Sequence, residues 1–210
     1  MIFTSIDFIV FFIFILGVVA IVKHRKFQHL ILLGGSYYFF YFSSNYLIVL
    51  LIFSTLLDFY LAKLIYSTDN IFRKKLFLII SLVGNLGLLG FFKYSDFAIL
   101  QFNILGNYFD VGANIPFINL ILPLGISFYT FQTISYTIDV YRGTLKPSKT
   151  FSEFALFVAF FPQLVAGPIL RAKQFLPQLR EKMEDYEING NIRRILFKSA
   201  NVKFGITLMA

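Results

Sequence analysis

The sequence predicts an all-α, polytopic membrane helix bundle with a re-entrant or interfacial segment, and three observations carry that reading. Apolar residues make up 58% of the 210 and charged residues 14%, with a mean hydropathy of +0.74. A soluble domain carries about a quarter charged residues, and at this size it cannot hide so much apolar surface. The apolar residues fall in long runs separated by short basic segments, so the net charge of +8 follows the positive-inside pattern and not a nucleic-acid-binding stripe. Finally, the apolar run from Phe157 to Leu179 is interrupted by Pro162, Gly167, Pro168 and Pro177. A bilayer crossing needs about 20 uninterrupted residues, and backbone broken at membrane depth is tolerated only inside protein or beside a water-filled cavity.

The first span is expected at 2–22. No basic residue precedes it, whereas Lys23, His24, Arg25 and Lys26 follow, the reverse of a signal peptide, so its N-terminus is placed outside. Asp7, near that outer end, reads as an interfacial residue. The run from Leu30 to Tyr66 is too long for one helix, and Ser43, Ser44 and Asn45 supply a turn, giving spans at 30–42 and 46–66. Asp58 and Lys63 are expected near the inner end of the second. Lys63 can snorkel, and Asp58 reads as the packing partner of a neighbouring polar group in preference to a catalytic acid.

Ser67 to Lys75, with Arg73, Lys74 and Lys75, is expected as a cytoplasmic loop. A fourth span follows at 76–92, where Gly84, Gly87 and Gly90 would clear one face for close helix approach. Lys93 and Asp96 stand three apart as an expected ion pair. Phe97 to Asn119, with its Asn and Gly residues, reads as an external connection holding at most a short surface helix.

The fifth span is expected at 122–141, entered through Pro123 and Gly125. On a helical wheel Gln132, Ser135, Tyr136 and Asp139 form one polar stripe, with Phe131, Ile134 and Ile138 opposite. Together with Ser127 they are the candidate substrate or cavity residues, and interhelical hydrogen bonding is the equal alternative. Asp139 and Arg142 form a second expected ion pair. Thr150 and Glu153 make a T-x-x-E capping box, so a helix is expected from Phe151 to Phe161, stopped by Pro162. That is about half a crossing. The segment 151–169 is therefore read as re-entrant, with Arg171 and Lys173 returning it to the cytoplasmic surface. Glu181 to Glu187 reads as an acidic loop, and Asn191 to Ala210 as a basic amphipathic helix opening a further span near 195–210, cut short as in a truncated protein.

Soluble-enzyme motifs are missing: the chain has no GxSxG, P-loop or HExxH. Without cysteine, and with His24 and His29 as its only histidines, it offers no metal site and no resident cofactor is expected.

Four segments go further than composition. GSYYFFY (Gly35 to Tyr41), LGFFKYSDF (Leu89 to Phe97), LPLGISFYTFQTISYTIDVYRG (Leu122 to Gly143) and FVAFFPQLVAGPILRAKQFLPQL (Phe157 to Leu179) resemble, in the same order, the membrane-bound O-acyltransferase family in its alginate O-acetyltransferase-like branch. Pro123, Gly125, Pro162, Gly167, Pro168 and Arg171 are the structural positions of that resemblance. It implies transfer of an acyl group, usually acetyl, to hydroxyls of an exported polysaccharide at a bacterial-type cytoplasmic membrane, with other O-acetylation proteins as partners and an unspecified acyl donor. It also implies that this chain corresponds to the N-terminal portion of a longer enzyme whose catalytic histidine lies in the later half, so no catalytic residue is assigned here and these 210 residues alone are expected to be inactive. A sister branch that transfers D-alanine to teichoic acids, and a non-enzymatic permease or scaffold, are the alternatives.

Overall fold

The computed structural model describes residues 6–22, 24–109, 114–166 and 171–180. Gly167, Pro168 and the expected loop and span after Arg180 lie outside them. The described residues hold eight α-helices and no strand: α1 (Ile6–Ile21), α2 (Arg25–Ser44), α3 (Ile48–Ser67), α4 (Ile71–Tyr108), α5 (Ile126–Tyr141), α6 (Phe151–Ala159), α7 (Phe161–Ala166) and α8 (Ala172–Arg180).

α2 and α3 are separated where the turn residues predict it. Asn45 takes φ 53°, and a single 3-10 turn, Asn45–Leu47, leads into α3. α4 departs from expectation at both ends. It begins at Ile71, inside the stretch read as a loop, because the Asn70 side chain accepts hydrogen bonds from the N–H groups of Phe72 and Arg73. It then runs 38 residues without a break through the region read as an irregular connection, reaching about 57 Å. No proline interrupts that run, and isolated glycines and asparagines only lower helix propensity by up to about 1 kcal/mol each. The segment after α4 is tied back onto it. Asn103 exchanges two 2.8 Å bonds with the backbone of Ile115, and Asp96 accepts from the N–H groups of Ile118 and Asn119 at 2.9 and 3.3 Å. Asp96 therefore anchors this segment, and among the described residues Lys93 makes a cation–π contact with Tyr94 in place of the expected ion pair.

Helices α3, α4 and α5 pack on one another, and α6 rests on α2 and α3. The interior is polar where these helices meet, and the exterior is apolar. On α4 the buried residues are Ser81, Asn85 and Leu89, one helical face, while Val83 is 65% exposed and Phe91 53%. Water would demand the opposite arrangement, whereas lipid accepts apolar side chains outside and requires polar ones to find partners inside. The stretches Lys26–Ser67 and Ile71–Tyr108 are long and apolar enough to cross a membrane. The fold is an all-α membrane bundle, and α4 is longer than the about 30 Å hydrocarbon core.

The glycines act differently from their expected role. A Cβ on Gly84 would meet Leu57 Cδ2 at 2.7 Å, but Gly87 and Gly90 face open space. Three-residue spacing rotates around the helix by about 60° per step, which takes the later glycines off the contact face. A closer approach the spacing did not signal is Gly35, whose Cβ would stand 2.9 Å from Ile15 Cδ1 of α1.

Candidate functional site

Two polar arrangements lie inside the bundle, and each begins from a local sequence feature. The first is built on i, i+4 pairs. Ser54 and Asp58 share a face of α3, as Ser81 and Asn85 do on α4. Asp58 lies midway along α3, not near its end, and is fully buried. Ser81 Oγ donates to Asp58 Oδ1 and Asn85 Nδ2 donates to Asp58 Oδ2 at 2.8 Å. Asn85 Nδ2 also donates to the Ser81 carbonyl at 2.9 Å, and Asn85 Oδ1 accepts from Ser54 Oγ. From α5, Thr133 Oγ1 stands 3.4 Å from Asn85 Oδ1 and donates to the Thr130 carbonyl at 3.1 Å, and Thr137 Oγ1 donates to the Thr133 carbonyl at 3.2 Å. The carboxylate thus accepts on both oxygens, and the node joins three helices. Its donors are committed to structure, which supports the packing-partner reading of Asp58.

The second arrangement is a helix break. Thr150 Oγ1 accepts from the Glu153 N–H at 3.4 Å, so α6 starts where the capping box predicts. It ends at Ala159, two residues earlier than expected, and Phe160 is non-helical with ψ 104°. Pro162 has no N–H to give to Val158, and its ring crowds that carbonyl, so the chain bends before the proline and resumes as α7 with Pro162 in its first turn. The bend parts a pair that a continuous helix would join: the Phe161 N–H and the Phe157 carbonyl. Both halves are recovered by side chains from other helices. Phe161 N–H donates to Ser36 Oγ of α2 at 3.3 Å, and Gln132 Nε2 of α5 donates to the Phe157 carbonyl at 2.8 Å. A helix broken inside protein is satisfied as apolar surroundings require. Pro177, by contrast, sits inside α8 and does not end it.

The expected α5 stripe is divided between these surroundings. Gln132 and Tyr136 are fully buried. Tyr136 lies against Phe154 with ring centroids 4.3 Å apart, and its hydroxyl oxygen accepts from the Ser148 N–H at 3.0 Å. Ser127, Ser135 and Asp139 are half-buried, and Ser135 donates to the Gln132 carbonyl at 2.8 Å. Asp139 receives Thr144 Oγ1 at 3.4 Å on its carboxylate, and its backbone carbonyl accepts from the N–H groups of Thr144 and Leu145. No ion pair with Arg142 forms among the described residues; Arg142 instead caps α5 through its N–H to the Ile138 carbonyl. Of the three residues placed opposite the stripe, Phe131 is about half exposed but Ile134 is buried. Pro123 and Gly125 form the turn into α5: Pro123 is buried, and Gly125 holds φ 68°, a left-handed conformation that glycine enters without Cβ strain. Arg171, exposed, offers its carbonyl to the N–H groups that open α8. His24 is exposed just before α2 and His29 lies in its second turn.

The second polar face of α5, Thr130, Thr133 and Thr137, was not singled out from the sequence, nor were Ser36, Ser81, Asn85 and Gln163. The i, i+4 polar pairs on otherwise apolar helices are the signal that finds Ser81 and Asn85.

A helical membrane protein with a hydrogen-bonded polar interior and a proline-broken helix held by its neighbours is the class these features define. Within it, the chain is 36% identical over 169 residues to a peptidoglycan O-acetyltransferase of Helicobacter pylori, covering 69% of this chain and 31% of that protein. It is 44% identical over 107 residues to a probable alginate O-acetylase AlgI of Pseudomonas aeruginosa, covering 50% and 20%, and 42% identical over 107 residues to one of Azotobacter vinelandii, covering 50% and 21%. The chain belongs with these homologues in the membrane-bound O-acyltransferase family. It aligns with about a third or less of the length of these relatives. No family model and no solved structure matches it.

Proposed function

We propose that this chain forms part of a multi-pass O-acyltransferase of a bacterial-type cytoplasmic membrane, which moves acetyl groups to hydroxyls of an exported polysaccharide. The observation that carries this reading is the 36% identity to a peptidoglycan O-acetyltransferase across 69% of the chain. The role proposed for these residues is framework and substrate path. O-acyl transfer needs a base for the acceptor proton and a donor for the developing oxyanion. Asp58 is sealed among its own donors, so the base belongs elsewhere in the enzyme. Ser127, Ser135 and Asp139, half-buried on α5, are proposed to border the substrate path, with Gln132 and Tyr136 fixing that helix against α6.

The proposed topology has the N-terminus outside and the segments 23–29, 72–75 and 141–150 inside. A cysteine introduced at Lys74 into this cysteine-free chain should resist a membrane-impermeant thiol reagent in intact cells and react in inverted vesicles. Labelling from outside would invert the model. For the activity, the aligned segment of the Helicobacter pylori relative is exchanged for the matching residues of this chain. The chimera should keep base-labile acetate on peptidoglycan, whereas the 210-residue chain alone should transfer none. A stable, membrane-inserted chimera without acetate would overturn the proposal.

A further inference from the structure

The break between α6 and α7 leaves polar atoms that the described chain does not satisfy. Gln163 is 1% exposed, and its backbone N–H is bonded to the Phe160 carbonyl at 3.0 Å, yet neither Nε2 nor Oε1 of its side chain has a partner. Oε1 of Gln132, whose Nε2 holds the Phe157 carbonyl of the same broken segment, is also without one. The buried hydroxyls of Tyr37, Ser43, Tyr129 and Ser148 lack partners too. Gln163 differs from them in stranding two separate atoms, an N–H₂ donor and a carbonyl acceptor, on one planar group. Leaving such groups unmet is costly, and native proteins retain them where a water, ion or ligand completes the bonding.

We propose that Gln163 is the contact residue of a buried site for a neutral hydroxyl-bearing ligand: an ordered water, or a hydroxyl of the acceptor. Only the second source rests on the acyltransferase reading. The chemistry selects this class because the amide presents N–H donors on one side and a carbonyl acceptor on the other. Water and alcohols both donate and accept, so they can serve either end. An ammonium would leave Nε2 unmet, and a carboxylate would leave Oε1 unmet. The position is also fixed, since the first residue of α7 is held by Ser36 through the Phe161 N–H. The Asp58 node offers no such opening, because its carboxylate oxygens and the Asn85 amide already have partners.

The test uses the detergent-solubilised 210-residue chain with ¹⁵N-labelled glutamine. Magnetisation transfer from water to the Gln163 side-chain amide protons, together with a lower thermal unfolding midpoint for Gln163→Met, assigns a resident water. If that transfer does not occur, a short alginate oligosaccharide at millimolar concentration should raise the unfolding midpoint of the parent chain and leave Gln163→Met unmoved, assigning an acceptor hydroxyl. Should Gln163→Met fail to fold, the two parent-chain measurements decide. The proposal is overturned if the parent shows neither water contact nor an oligosaccharide-induced shift, the behaviour of an amide that is simply stranded. Detection of the water with no oligosaccharide effect would support the site while leaving the acyltransferase reading to its own test.

Discussion

The Asp58 node and the α6–α7 break are both buried and polar, yet they are completed in opposite ways. At the node, side chains of α3 and α4 satisfy one another, with Thr133 of α5 3.4 Å from the Asn85 amide oxygen. At the break, side chains are used up on the backbone, with Ser36 and Gln132 meeting the two groups parted by Pro162, and amide atoms of Gln132 and Gln163 are left over. The difference teaches where to look for a ligand. Polar groups that close on themselves hold helices together, whereas those exhausted by repairing a broken helix leave valence for something else.

The largest effect should come from the node. Asn85→Leu removes the donor to Asp58 Oδ2 and the acceptor of Ser54, stranding both in a buried site. A loss of about 2–6 kcal/mol is expected, from about 1–3 for each of the two stranded groups, read as a lower denaturant midpoint in detergent. Asp58→Asn keeps the shape and should cost less. Equal midpoints for Asn85→Leu and the parent chain would break the comparison by showing that the node holds nothing.

A smaller effect is expected at the break. Gln132→Leu strands the Phe157 carbonyl but also removes the unpaired Oε1, so the two partly offset and the net loss should be about 1 kcal/mol. Ser36→Ala, which takes the acceptor from Phe161 N–H, should cost a similar amount. The two together sharpen the comparison: α6 and α7 should become susceptible to hydrogen exchange before α3 and α4 do. Exchange that rose uniformly through the bundle would show that the break is not a separate unit.

The smallest effect separates two glycines of one helix. Gly84→Ala drives a methyl against Leu57 and should destabilise by about 0.5–1 kcal/mol. Gly87→Ala enters open space and should be neutral or stabilising by up to about 1 kcal/mol, through helix propensity. The same midpoint measurement decides, and destabilisation at both positions would mean that Gly87 also faces a neighbour.

Composition and patterning were enough to determine the all-α membrane class, the turn at Asn45 and the capped start of α6, because each depends on residues adjacent in the chain. The length of α4 was misread because asparagine and glycine lower local helix propensity, yet only by a small amount each, and with no proline in the run the helix continues to Tyr108. Partnerships were beyond local reading. The wheel placed Gln132 and Tyr136 together on α5, yet only the packed structure put Gln132 on a carbonyl freed by Pro162, Tyr136 against Phe154, and Asp139 with Thr144 instead of Arg142. A single helix states which side chains share a face. Which of them finds a partner, and which is left without one, depends on where the neighbouring helices bring their own unmet groups, and that is decided by packing.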